Sequence, residues 1–310
     1  MQKKIAIATD GSHVSKETLS YAAMLYNRIP EMRFVLLHIQ PAVSLYLVEE
    51  AERKAAARRT LEKITGAQRR AALQTLEAQI ERLTAMGVAG EHIEHKTHPR
   101  INGVAEDLIA LCQTNSYDAL LIGRRGISRI QEWIAGSVTT NLIEHAQITP
   151  LWVVDGKVTA SKILLAVDGS QGALRALDHV CFMLSDAPEQ HLDIIHVQPL
   201  FSDYCDIDIS QEISDSAQEI ILSGDRHCMD DFYSQAQLVI QKYGVATERV
   251  TFLTETKQIS TTNTILKAIQ NGKYGTVVLG RRGMGRSLFT GSVSRKLLQK
   301  VRDRAVWIVP

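Results

Sequence analysis

The segment Lys4-Ile5-Ala6-Ile7-Ala8-Thr9-Asp10-Gly11-Ser12 comes back as Lys162-Ile163-Leu164-Leu165-Ala166-Val167-Asp168-Gly169-Ser170, keeping the apolar run and the Asp-Gly-Ser ending. The register then holds through each half. His38-Ile39-Gln40-Pro41 returns as His196-Val197-Gln198-Pro199, Gly123-Arg124-Arg125-Gly126 as Gly280-Arg281-Arg282-Gly283, and Gly136-Ser137-Val138 as Gly291-Ser292-Val293. Trp152-Val153-Val154 closes the first copy as Trp307-Ile308-Val309 closes the second. Repetition on this scale means one fold written twice, so the 310 residues are two copies of a domain. The polar stretch Asp155-Gly156-Lys157-Val158-Thr159-Ala160 separates them and places the domains at 1–155 and 161–310.

Each half alternates apolar runs with helical stretches, the pattern of βαβ units around a parallel sheet. Strands covered on both faces read as unbroken apolar runs. In the first half these are Lys4–Ala8, Phe34–Ile39, Ala119–Ile122 and Leu151–Val154, with a weaker run near Ile93–Lys96. In the second they are Ile163–Val167, Leu192–Val197, Val250–Leu253, Thr276–Leu279 and Val306–Val309. Leu73, Leu76, Ile80 and Leu83 fall at helical spacing and predict a long amphipathic helix between the second and third strands. Val138, Leu142 and Ala146 predict another, matched by Val293, Leu297 and Val301. The fold class is α/β: two tandem doubly wound domains, each built on a parallel five-stranded sheet.

Composition removes several functional classes. Lys+Arg 35 against Asp+Glu 34 gives a net charge of +1, with no global excess to neutralise a phosphate backbone, so direct nucleic-acid binding is not expected. The apolar runs stop far short of the roughly 20 residues that span a bilayer. The N-terminal run is cut at Asp10, before a signal-peptide core of about 7–15 residues forms, so a cytoplasmic location is expected. Cys112, Cys181, Cys205 and Cys228 show no metal spacing and read as reduced packing thiols.

In open α/β sheets ligands lie beyond the carboxyl ends of the strands, where the topology switches. The repeated polar groups fall there. Asp10 and Asp168 place a carboxylate after strand one, and Gly123-x-x-Gly126 and Gly280-x-x-Gly283 let backbone amides approach an anion without a Cβ in the way. Gly136-Ser137 and Gly291-Ser292 each precede a helix, whose free amides and positive dipole end suit a phosphate. Each feature alone has a plainer reading: Asp-Gly as a turn, Ser as a helix cap, Gly-Arg-Arg-Gly as a turn with solvated arginines, His38 and His196 as core histidines. Their order and duplication favour a ligand site.

These motifs resemble those of the universal stress protein family, and the whole chain resembles a tandem member of it with Rossmann-like domains. The nucleotide-binding pattern of that family runs Gly, two residues, Gly, nine residues, Gly-Ser/Thr; Gly123, Gly126, Gly136 and Ser137 match it. The resemblance implies an ATP site, with or without magnesium. Asp10 and Ile39 would lie near the adenine, Ala8 and Thr9 would flank the nucleoside, and Ile122 would line the pocket. Gly123, Gly126, Gly136, Ser137 and Val138 would meet ribose and phosphates, with Arg125 beside them either on the triphosphate or in solvent. In the second half Ala166, Val167, Asp168, Val197, Leu279, Gly280, Gly283, Gly291, Ser292 and Val293 take the matching places. There, however, Met284–Thr290 leave seven residues where the pattern has nine, so the first half is the better candidate.

The resemblance also implies pairing through the closing strand, hence an internal pseudo-dimer of the halves, with a homodimer left open. Residues 50–70 are rich in Arg and Lys and residues 203–231 in Asp and Glu, either as solvated helix faces or as complementary segments. His92, His95 and His98 have a spacing that suits neither one strand face nor a helical pair, and the second half has no counterpart. The expected activity is a nucleotide-dependent stress-response regulator with at most slow hydrolysis. The alternative is a nucleotide-free module of the same fold that binds partners or an apolar ligand, above all in the second half.

Overall fold

The computed structural model of the chain describes residues 2–29, 32–124, 138–200, 215–281 and 292–310. It divides into two compact units, Met1–Val154 and Asp155–Pro310. The first runs β1 (Lys3–Ala8), α1 (His13–Tyr26), β2 (Met32–Ile39), α2 (Leu45–Arg53), α3 (Ala55–Ala85), β3 (Ile93–His98), α4 (Val104–Thr114), β4 (Ala119–Gly123), α5 (Val138–His145) and β5 (Leu151–Asp155). The second runs β6 (Ile163–Val167), α6 (Gln171–Leu184), β7 (Leu192–Gln198), α7 (Asp215–Lys242), β8 (Val250–Thr256), α8 (Thr261–Gly272), β9 (Thr276–Gly280), α9 (Ser292–Lys300) and β10 (Arg304–Val309).

All strand pairs within each unit are parallel, in the order β3-β2-β1-β4-β5 and, in the second, β8-β7-β6-β9-β10. Ile5 faces Phe34 on one side and Ala119 on the other, and Ile163 likewise faces Leu192 and Thr276. Burial on both faces explains the apolar runs: every residue of β4 and β5 is buried. By contrast β3 and β8, at the end of each order, have no buried residue, and in β3, where five of six residues are polar, the sequence signal is weak. Chain progress reverses between β1 and β4, and between β6 and β9, so each unit has its topological switch point at that crevice.

The long helix α3 buries Ala72, Leu76 and Leu83 together with Gln79, one mostly apolar stripe at helical spacing against the sheet. Trp152 on β5 and Trp307 on β10 are wholly buried, and burying a side chain of this size contributes about 1.5–3 kcal/mol each. In the second unit Trp307 meets His179 of α6 edge-on, ring centroids 5.8 Å apart.

Candidate functional site

The rim of unit 1 is built by three adjacent strands. Ala8 ends β1, Ile39 ends β2, and Ile122 and Gly123 end β4, so the parallel register brings all four to one edge of the sheet. Past β1, the Thr9 amide donates to the Leu37 carbonyl at 2.9 Å and extends the ladder by one step. The chain then turns. Asp10 is exposed, and its Oδ1 accepts the Ser12 amide at 2.9 Å, an Asx turn that leaves the carboxylate at the rim. Gly11 holds φ +75, and a Cβ there would stand 2.7 Å from Thr75 Cγ2 on α3. The turn therefore demands glycine for backbone conformation and for space.

Unit 2 rebuilds this loop. Asp168 Oδ1 accepts the Ser170 amide at 3.2 Å, and Gly169 holds φ +76 beneath Cys228 of α7, whose carbonyl oxygen would lie 3.3 Å from an added Cβ. Thr75 and Cys228 are thus the lids of equivalent loops. Sequence reasoning missed both, although Thr75-Leu76 and Cys228-Met229 hold matching places on the two long helices, with Leu76 and Met229 buried in each.

The copies differ in one hydroxyl. Ser170 Oγ accepts the Ala173 amide at 3.2 Å and caps α6, whereas Ser12 Oγ makes no cap bond and is buried with no hydrogen-bond partner among the described residues. A buried hydroxyl left unpaired loses about 1–3 kcal/mol unless a ligand satisfies it. This orphan stands in the first unit, two residues from Asp10.

His38, on β2, is half-buried. Burial pushes its imidazole below the ordinary range, and the negative charge of Asp10 works against that shift, so the two side chains share one electrostatic environment at the rim. A lowered value leaves His38 neutral at pH 7, a hydrogen-bonding group rather than a cation. His196 is buried, with Nδ1 at 3.3 Å from the Val167 carbonyl.

At the end of strand four the backbone repeats itself again. The Arg124 amide donates to Val154 O at 2.8 Å and the Arg281 amide to Val309 O at 2.6 Å, each extending its ladder past the first glycine. Arg281 is 2% exposed, which removes the reading of a solvated turn arginine at that position. Gly280 packs against the first turn of α6: an added Cβ would lie 2.8 Å from Gly172 C and O. Ser294 Oγ, near the start of α9, donates to the Gly280 carbonyl at 3.2 Å and ties the helix to the strand end.

Ala166, Val167 and Asp168 end or follow β6, Val197 lies near the end of β7, and Leu279 and Gly280 end β9, the same rim in the second unit. Val138 begins α5, and Ser292 and Val293 begin α9. Arg125, Gly126, Gly136, Ser137, Arg282, Gly283 and Gly291 lie outside the described residues, as do Cys205 and positions 203–214 of the acidic segment. Among the described residues, no group of three or more His, Cys, Asp or Glu is placed to hold a metal ion. His92 instead bonds Tyr26 Oη through Nδ1 at 3.0 Å.

Compared with known proteins, the sequence matches the profile of the universal stress protein family twice, over residues 1–155 and 159–310. The chain belongs to the universal stress protein family. Among solved structures, a universal stress protein from Archaeoglobus fulgidus DSM 4304 is similar over 99% of this chain and 95% of its own, with 18% identity and a TM-score of 0.59. A functionally unknown protein from Pseudomonas aeruginosa PAO1 is similar over 99% of this chain and 92% of its own, with 15% identity and a TM-score of 0.55. Both likenesses extend along the full tandem chain and concern its fold. A comparison with curated proteins finds no match. As universal stress protein domains, the two halves carry one α/β fold with two differently finished rims. Among the described residues, no helix is long and apolar enough to cross a membrane.

Proposed function

We propose that the rim of unit 1 binds an adenine nucleotide, ATP, and that its occupancy sets the conformation or partner affinity of a stress-response regulator. The observation that carries this reading is the complete family spacing in the first half: Gly123, Gly126, nine residues, then Gly136-Ser137 ahead of a helix. The exposed Asp10 after β1 and the buried Ser12 hydroxyl two residues on, which has no hydrogen-bond partner among the described residues, support it. Asp10 and Ile39 would contact the adenine side, and the glycines with Ser137 the phosphates. Magnesium, where it enters, would ride on the phosphate oxygens. Hydrolysis should be slow. Phosphoryl transfer needs a positioned nucleophile, a metal and an activating group, and Asp10 sits toward the adenine end.

Native mass spectrometry of freshly purified protein should show one retained nucleotide per chain. Gly136→Gln or Ser137→Glu should abolish most of it. Unchanged ATP affinity in those variants, measured by calorimetry, overturns the reading.

A second reading applies to unit 2. There the phosphate loop is two residues shorter, Ser170 is committed as a cap, and Gly280 serves helix packing. These favour a nucleotide-free domain that shares the fold.

A further inference from the structure

Unit 1 carries a cleft away from the β1–β4 crevice, over the carboxyl ends of β2 and β3. Its volume is about 710 Å³, inside the roughly 300–1,000 Å³ range of small-molecule sites. Gln40 and Pro99, which follow those strands, form one wall, and α2 with the first half of α3 forms the other. None of the residues proposed to hold nucleotide lines it.

Its chemistry is two-sided. Val43, Leu45, Val48, Leu61 and Ile101 supply an apolar surface, and Leu45 and Ile101 are 79% and 69% exposed at the mouth, where an occupant would cover them. Arg69 and Arg100 stand on the same cleft, and neither has a hydrogen-bond or ion-pair partner for its guanidinium among the described residues. Among the described residues Glu62 is the one acidic group lining the cleft, against Arg69 and Arg100, so their summed charge is positive. Gln40 is already committed, donating from Nε2 to Thr97 Oγ1 at 3.0 Å and from its amide to His98 O at 2.8 Å. The cationic recognition therefore comes from the two guanidiniums, whose forked donors match a carboxylate, with the Gln68 amide on the same cleft as a neutral group.

Gly66 is an independent sign that the cleft is kept open. It sits in the interior of the 31-residue helix α3, where glycine is among the poorest choices, and it lines the cavity. Neither sterics nor backbone asks for it: φ is not positive, and the nearest atom to an added Cβ is Arg70 Nη1 at 3.6 Å.

We infer that this cleft binds an organic anion with an aliphatic body, a medium-chain fatty carboxylate, with the chain against Val48, Leu61 and Ile101 and the carboxylate between Arg69 and Arg100.

The test is calorimetric titration of the full chain with sodium dodecanoate below its micellar concentration, with dodecanol as the uncharged control. Saturable binding is expected for dodecanoate, at least tenfold weaker for dodecanol. The surface double variant Arg69→Gln, Arg100→Gln should lose at least tenfold for dodecanoate alone. Gly66→Leu should lose it by filling the cleft, with circular dichroism showing helix retained or increased. No saturable dodecanoate binding, equal binding of dodecanol, or unchanged binding in both variants overturns the inference. Because the cleft lies outside the nucleotide rim, the result is read separately from ATP retention.

Discussion

Gly280 at the end of β9 and Gly172 in the first turn of α6 approach so closely that a Cβ on Gly280 would lie 2.8 Å from the Gly172 carbonyl. The first glycine of the second-half motif is thus occupied with helix–strand packing. Because the obstacle is backbone, it cannot rotate away. Gly280→Ala is expected to destabilise the protein by about 1–3 kcal/mol through overpacking, measured as a lower denaturation midpoint at unchanged slope.

Gly11 and Thr75 offer a separable case. Gly11→Ala incurs both positive-φ strain and a clash with the Thr75 methyl, together about 1–3 kcal/mol. Thr75→Ser removes that methyl and keeps the hydroxyl that donates to Ala71 O. The double variant should therefore recover the steric part only, with a coupling of about 0.5–1.5 kcal/mol in a double-mutant cycle. Simple additivity would show that the contact does not form.

His179 predicts an acid limb of stability. Burial holds its imidazole down at about 4, with Asp178 opposing, against 6.5 unfolded. The folded value is depressed, so the unfolded chain binds the extra proton between these limits. The neutral form's contribution is complete above pH 6.5 and is lost as pH falls toward 4, roughly 3 kcal/mol in all. Tyr21 holds the matching place in unit 1. His179→Tyr should flatten the stability profile between pH 6.5 and 4, and an unchanged slope there would assign the limb to other groups.

Asp10→Asn tests the rim. The amide oxygen can still accept the Ser12 amide, so the turn persists, while the charge that props up His38 is gone. His38 should titrate at lower pH by NMR in the variant than in the parent. ATP affinity should fall several-fold in Asp10→Asn and stay unchanged in Asp168→Asn if only unit 1 binds.

Much of this was legible in the residues. The apolar runs of β1, β4, β6 and β9 announced a sheet covered on both faces, because a strand without a solvent side has no polar alternation to hide it. β3 was faint for the opposite reason: it is mostly polar, and none of its residues is buried. The rim positions of Asp10, Ile39 and Ile122 followed from parallel topology, which gathers the carboxyl ends of strands distant in sequence. Thr75 and Cys228 were not legible, since their role comes from the phase of a long helix over a loop more than fifty residues away.

The duplicated sequence by itself determined the α/β class, the tandem arrangement and the closer match of the first half to the glycine spacing of the family pattern, because strand period, turn chemistry and loop length are local. Ser12 and Ser170, or Gly123 and Gly280, look interchangeable at that level. Tertiary structure decided that Ser170 caps a helix while Ser12 has no partner among the described residues, that Gly280 abuts Gly172, and that Arg281 is buried. The reason is that a hydroxyl, a missing Cβ or a guanidinium acquires its role from the backbone that packs against it, and that neighbour comes from elsewhere in the chain.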